Sequence, residues 1–146
     1  MEAVYQAHRF DALKMRYDDQ VALLRSITEL DLKLFTGYFT VQLLLGAWLT
    51  SHPLSRVLMQ IGLLSIDLTL CLIASRLLYL SQKRRCEIVA TIKNICEVLG
   101  FTQKDIYLSG SAINPEIVLR AWTPYYIVGV LVSSIGIGLI IFGGLA

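Results

Sequence analysis

One acidic side chain lies near the middle of a long apolar run. Asp67 is close to the centre of Val57–Leu80, the longest of three apolar segments in the 146-residue chain. A carboxylate is costly in the hydrocarbon core of a membrane, so such residues face protein, water or a partner and often mark a functional site. Gln60, Cys71 and Ser75 fall on the same side of this segment at 100° per residue, which predicts a polar stripe on one helix.

The sequence leaves three roles open for Asp67. It can be a protonated or hydrogen-bonded packing residue, paired with Gln42 of the preceding apolar segment or with a neighbouring subunit. It can line a pore that several copies of the chain form together. It can also carry a proton or an ion in a transporter. Arg76 is about 13 Å away along the helix axis, so the two residues cannot pair within one helix.

The sequence carries no enzyme or metal-site signature. The two histidines, His8 and His52, are expected on opposite sides of the membrane and cannot share a site. Phosphate-binding, nucleophile-elbow and zinc-protease motifs do not occur. The net charge of +2 is small and scattered, which does not favour nucleic-acid binding. We therefore expect a protein that is not an enzyme, with no metal, no cofactor and no nucleic-acid partner.

The composition predicts an all-α polytopic membrane protein. Hydrophobic residues make up 55% of the chain and charged residues 16%, and the mean hydropathy is +0.63. About 20 apolar residues cross the hydrocarbon core as a helix, which the second and third apolar segments do comfortably. The predicted organisation is a single membrane domain over 1–146 with these parts: an amphipathic helix at 1–33, spans at 34–50, 57–80 and 124–146, a turn at 51–56, and a helix and loop at 81–123.

Basic residues predict the orientation of these spans. They are frequent before the first span and between the second and third, whereas the turn at 51–56 contains only Arg56. The positive-inside rule therefore predicts a cytosolic N-terminus and long loop, an external turn and an external C-terminus. Trp122 and a set of basic residues are expected to anchor the chain at the membrane surface: Arg76, Lys83, Arg84 and Arg85.

The first two spans are expected to continue as helices beyond the membrane. Apolar residues recur at three- and four-residue steps through 10–34 and again through 86–99, and no Gly or Pro interrupts either boundary. Gly100 followed by Phe101 is typical of a helix C-terminus. Helices over about 8–50 and 54–99, joined by a short turn, predict one long antiparallel hairpin. Thr123-Pro124 and Asn114-Pro115 are typical of helix starts.

Small residues of the third span favour helix–helix contacts. They recur at four-residue steps, a spacing that lets helix backbones approach closely. We expect self-association through this span at the following positions: Gly129, Ser133, Ser134, Gly136 and Gly138.

A charged N-terminal helix, a tight transmembrane hairpin and a helix that continues from the second span resemble the architecture of the bacterial SLATT proteins. These are small membrane effectors of nucleotide-signalling and antiviral defence systems. The resemblance covers residues 8–99, and the third span is additional to the two-span pattern. It implies an oligomeric membrane protein that disrupts the bilayer as a pore when a partner triggers it.

The leading prediction is accordingly an oligomeric, pore-forming or membrane-perturbing protein of a bacterial inner membrane, gated through its cytosolic helices. The alternatives are a non-conducting anchor or accessory subunit, which binds a cytosolic partner through residues 8–33 and 82–122, and a transporter subunit. Pore or helix-contact candidates are the polar residues of the first two spans: Gln42, Gln60, Asp67, Cys71 and Ser75.

Overall fold

The protein consists of three α-helices joined by a turn and a longer connection. The structure, a computed structural model, describes residues 2–54, 56–100 and 122–143. The helices are α1 (Glu2–Ser51), α2 (Val57–Val98) and α3 (Thr123–Gly143). All three are long and apolar enough to cross a membrane. The all-α, polytopic membrane architecture predicted from the sequence is therefore confirmed.

Two of the helices are much longer than a membrane span. α1 has 50 residues and α2 has 42, and both continue without a break beyond the apolar segments. No proline lies within either helix, so no backbone hydrogen bond of the helix interior is lost. α2 ends where the sequence predicts it, since Gly100 adopts a positive φ of 76° that favours glycine after a helix. Phe101 lies outside the described residues.

The third helix begins at Thr123, as the Thr-Pro pair predicts. Pro124 then occupies the first turn, where its missing N–H is not needed by the helix. The second helix start expected in this region, at Asn114-Pro115, lies outside the described residues, as does most of the predicted loop.

The chain divides into two compact units. We call the first, Met1–Glu29 with Lys83–Ala121, the helical pair, and the second, Leu30–Gln82 with Trp122–Ala146, the bundle. From the sequence, both units are predicted to be parts of one membrane domain. Each unit has a core of its own.

The bundle contains parts of all three helices. One buried cluster of Cys71, Ala74, Leu78 and Val130 is packed by Phe35 and its neighbours on α1. A second cluster joins Leu49, Ile137 and Ile141 near the turn. Within the bundle, later residues of α1 meet earlier residues of α2 and later residues of α3. α1 is therefore antiparallel to α2 and parallel to α3.

The outer surface of the bundle is apolar. Leu58, Leu72 and Leu139 are 84%, 70% and 69% exposed, respectively, and many other large hydrophobic side chains accompany them. A water-soluble domain seldom exposes so much contiguous apolar surface. The exposed side chains are suited to contact lipid, so the protein is an integral membrane protein.

The core of the helical pair is formed by residues of α1 and α2. Ile27 of α1 is buried against Ile88 and Ile92 of α2, and Cys96 is packed at the edge of this cluster. Arg85 donates a hydrogen bond of 2.8 Å to the hydroxyl of Thr28 and so also joins α1 to α2. Burial raises the pKa of the Cys96 thiol above its usual range.

Candidate functional site

Four polar side chains of the bundle form a continuous hydrogen-bonded chain. The Nε2 of Gln42 donates to Oδ1 of Asp67 at 2.5 Å and to the hydroxyl of Tyr38 at 2.7 Å. The Tyr38 hydroxyl also shares a hydrogen bond of 2.5 Å with Oγ of Ser134. We call Asp67, Gln42, Tyr38 and Ser134 the polar chain. It joins α2 to α1 and α1 to α3.

Helix geometry explains how each side chain reaches this position. Tyr38 and Gln42 are four residues apart on α1, so their side chains lie one above the other on the same face. Asp67 approaches from α2, and Ser134 approaches from α3 at the same level. The contacts within the polar chain therefore depend on the packing of three helices and not on any local turn.

Three of the four residues of the polar chain are buried, Tyr38 is half-buried, and Gln42 also borders a groove between α1 and α3. Asp67 is 2% exposed, Gln42 4% and Ser134 6%. Burial in protein keeps the carboxyl group away from lipid, where it would be most costly. Two oxygens of the polar chain nevertheless have no hydrogen-bond partner, namely Oδ2 of Asp67 and Oε1 of Gln42. These two unsatisfied acceptors belong to the two residues that are already joined by the Nε2–Oδ1 bond.

The rest of the predicted polar stripe also faces the interior. Gln60 is 2% exposed and donates a hydrogen bond of 2.8 Å to the carbonyl of Leu54 in the turn. Cys71 belongs to the buried apolar cluster. Ser75 is half-buried, and its hydroxyl has no hydrogen-bond partner. The structure thus brings Asp67 and Gln42 into contact, whereas Gln60 bonds near the turn and Cys71 lies among apolar side chains.

Hydroxyl groups on the outside of the bundle are bonded to their own helices. Thr40 donates to the carbonyl of Thr36, Ser65 to that of Ile61 and Thr69 to that of Ser65, each at 2.8 Å. A hydroxyl that donates a hydrogen bond to a backbone carbonyl one turn earlier needs no water to satisfy it. These exposed positions are therefore compatible with a lipid environment.

Three of the small residues of α3 pack against the other helices of the same chain. A Cβ at Gly129 would lie 2.8 Å from the ring of Phe35, so the aromatic ring uses the space that glycine leaves. A Cβ at Gly138 would lie 3.7 Å from Leu64 of α2. Ser134 bonds to Tyr38. These contacts lie within one chain, and the predicted role of the same residues in self-association stays a prediction.

The other two small residues line an open groove between α1 and α3. Its volume is about 340 Å³, and Ser133 and Gly136 form its α3 side. A Cβ at Gly136 would meet nothing within 4 Å. Gly46 and Ala47 lie on the α1 side, together with Gln42 of the polar chain. Large side chains such as Phe39 and Ile140 complete the lining, so the groove is only partly lined by small residues.

The predicted surface anchors differ in their surroundings. Arg76, Lys83, Arg84 and Trp122 are exposed, and the indole of Trp122 lies 5.9 Å from the Tyr125 ring. Arg85 differs because its guanidinium bonds to Thr28 within the helical pair. A purely interfacial role therefore suits the first four residues better than Arg85.

Tyr38 and a second polar contact, between Asp31 and Thr123, were not predicted from the sequence. Asp31 is 2% exposed and accepts a hydrogen bond of 3.1 Å from Thr123, the first residue of α3. A carboxylate beside a helix N-terminus is also favoured by the helix dipole. A signal was present, since Asp31, Tyr38, Gln42 and Leu49 follow one another at steps of seven, four and seven and so share one face of α1.

The arrangement can hold three helices in one rotational setting and can hold or pass a proton between neighbouring oxygens. Among the described residues, no group of three or more His, Cys, Asp or Glu side chains could hold a metal ion. Comparisons of the chain with protein-family models, with curated proteins and with solved structures give no match.

Proposed function

We propose that this protein is a non-conducting membrane anchor or accessory subunit. In this proposal the bundle holds the chain in the membrane and the helical pair binds a cytosolic protein. The observation that carries it is the burial of the polar chain, since Asp67 is 2% exposed and bonded to Gln42. A pore needs polar side chains directed towards a water-filled path. The polar chain is instead used between helices of one chain.

The outside of the bundle supports the same proposal. The hydroxyls of Thr40, Ser65 and Thr69 donate hydrogen bonds to carbonyls of their own helices. The side chains around them are large and apolar. Such apolar surroundings are suited to contact lipid. Among the described residues, these outward hydroxyls are satisfied within their own helices and leave no donor that a water path would need to satisfy.

The helical pair offers a surface suited to a protein partner. Phe10 and Met15 are 53% and 64% exposed on α1, among exposed charged residues of both signs. Aromatic residues and methionine are enriched in protein interfaces. We place this surface in the cytosol because of the positive-inside rule.

Two measurements test the proposal on the full-length chain. In proteoliposomes, we expect no dye release or ion flux at any protein-to-lipid ratio. Flux that Asp67→Asn abolishes would overturn the anchor assignment in favour of the pore. In cells, a photo-crosslinking residue at Met15 should give a defined protein adduct, whereas the matched position Leu72 on the bundle should give lipid adducts only. Identical adduct patterns at both positions would contradict the proposed binding surface.

The orientation is tested with the exposed thiol of Cys86. A membrane-impermeant maleimide should label Cys86 in inverted vesicles and leave it unlabelled in right-side-out spheroplasts. Labelling only from the outer face would reverse the proposed topology.

The oligomeric pore remains the second candidate, and one observation favours it. The groove between α1 and α3 is open, and Ala47 and Gly136 in its lining would let another helix approach closely. The oligomer size in detergent separates the two proposals, because a pore needs a ring of several copies. A monodisperse monomer supports the anchor.

A further inference from the structure

The two unsatisfied acceptors of the polar chain lie on two residues that are hydrogen-bonded to each other. Oδ2 of Asp67 and Oε1 of Gln42 are buried, and neither accepts a hydrogen bond. The other polar atom of each side chain is hydrogen-bonded, because Nε2 of Gln42 donates to Oδ1 of Asp67 at 2.5 Å. Most buried polar atoms in proteins have a partner, so two orphaned acceptors beside one hydrogen bond need a physical explanation.

An ionised Asp67 does not explain them. A carboxylate only accepts hydrogen bonds, so an ionised Asp67 would keep the single bond from Gln42 and would leave its buried Oδ2 without a donor. A buried charge also needs a counter-charge, and within the described part of the chain no basic side chain pairs with Asp67. The titratable neighbours on the surrounding helices are Tyr38 and Cys71, neither of which can supply a positive charge.

A single proton satisfies both acceptors. A neutral carboxylic acid has one O–H donor and one carbonyl acceptor, and a primary amide has the complementary pair. If Oδ2 of Asp67 carries the proton, it can donate to Oε1 of Gln42 while Oδ1 accepts from Nε2. The second N–H of Gln42 then donates to Tyr38, and the Tyr38 hydroxyl donates to Ser134. The O–H of Asp67, both N–H groups of Gln42 and the O–H of Tyr38 then each meet an acceptor.

We propose that Asp67 and Gln42 form a buried proton-binding site, in which Asp67 is a neutral acid paired with the amide of Gln42 through two hydrogen bonds. The ligand is a single proton, held between Oδ2 of Asp67 and Oε1 of Gln42. The site concerns the interior of the bundle and is independent of whether the helical pair binds a partner.

A proton held between Asp67 and Gln42 predicts different effects on thermal stability for two substitutions at position 67. Asn has the shape of the neutral acid and replaces the O–H donor by an N–H donor. Asp67→Asn should therefore keep both hydrogen bonds and leave the thermal midpoint of the protein close to that of the wild type. Asp67→Leu leaves Oε1 and Nε2 of Gln42 without their partner and should lower the midpoint clearly.

Infrared spectroscopy detects the proton directly. The full-length protein in lipid bilayers at neutral pH should show the carbonyl band of a protonated, hydrogen-bonded carboxylic acid, and this band should shift in D₂O. It should disappear in Asp67→Asn. Asp31→Asn is the matched control, since it removes another buried aspartate of the bundle, and it should leave the Asp67 band in place.

Two results would overturn the site. One is the loss of a carboxylate band, and not of a carboxylic acid band, when Asp67 is replaced by Asn. The other is a thermal midpoint for Asp67→Asn that falls as far as that of Asp67→Leu. The spectroscopic result stands even if the leucine variant does not fold.

Discussion

Gly129→Ala should strain the contact between α1 and α3. An alanine Cβ at this position would lie 2.8 Å from Cε2 and 3.2 Å from Cζ of Phe35. The Phe35 ring has little freedom to move away. It stacks on Tyr126 with ring centroids 4.6 Å apart and lies 5.9 Å from the ring of Phe39. Either the ring or the α3 backbone must therefore shift.

The magnitude follows from two opposing effects. Overpacking of a closely packed contact costs about 1–3 kcal/mol. Alanine within a helix is about 1 kcal/mol more favourable than glycine. We expect the free energy of unfolding of Gly129→Ala to be about 0–2 kcal/mol lower than that of the wild type.

Gly136→Ala is the matched control on the same helix. Its Cβ would meet nothing within 4 Å, so only the gain in helix propensity of about 1 kcal/mol is expected. Because this gain is common to both variants, the difference between them isolates the Phe35 contact. That difference should be about 1–3 kcal/mol, with Gly136→Ala the more stable.

The assay is equilibrium unfolding in mixed micelles, with the oligomeric state monitored because Gly136 lines the open groove. A double-mutant cycle with Phe35→Leu adds a second test, since removal of the ring should relieve most of the cost of Gly129→Ala. Equal unfolding free energies for the two alanine variants, or zero coupling between positions 35 and 129, would refute the packing of Phe35 over Gly129.

Two other predictions concern the second polar contact and the thiols. Asp31→Ala should lower the free energy of unfolding by about 1–2 kcal/mol, because the buried hydroxyl of Thr123 loses its acceptor. Asp31→Asn keeps an acceptor and should cost less; equal losses for both variants would argue against this hydrogen bond. In thiol labelling near neutral pH, Cys96 should react more slowly than the exposed Cys86, since burial raises the pKa of Cys96 and only the thiolate reacts. Raising the pH should increase the Cys96 rate, and a rate equal to that of Cys86 at neutral pH would contradict this reasoning.

Local features of the chain are the ones that sequence predicts well. The positions at which α2 ends and α3 begins depend on Gly100 and on Thr123-Pro124, and both were predicted from residues that act within one turn. The continuity of α1 and α2 beyond the membrane spans follows from the absence of proline and from an unbroken apolar repeat.

Contacts between helices were predicted less completely. The pairing of Asp67 with Gln42 was one of several alternatives, and the extension of the polar chain to Tyr38 and Ser134 was not anticipated. These partners lie up to 96 residues apart in the chain. A one-residue rotation of any helix would change them, whereas it would leave the apolar length of each span the same.

The small residues of α3 illustrate the same distinction. Their four-residue spacing indicates that another helix approaches closely, but a helix of the same chain and a helix of another copy satisfy this requirement equally. Only the tertiary structure places Phe35 over Gly129 and leaves Gly136 beside an open groove.

By itself, the sequence determined three helices apolar enough to cross a membrane, the positions at which α2 ends and α3 begins, and the need to shelter one carboxyl group, because apolar length, helix capping and the cost of a charge in lipid are properties of short segments. Only the tertiary structure decided that Gln42 shelters Asp67, because the register and rotation of three helices are set by side-chain packing along their whole contact.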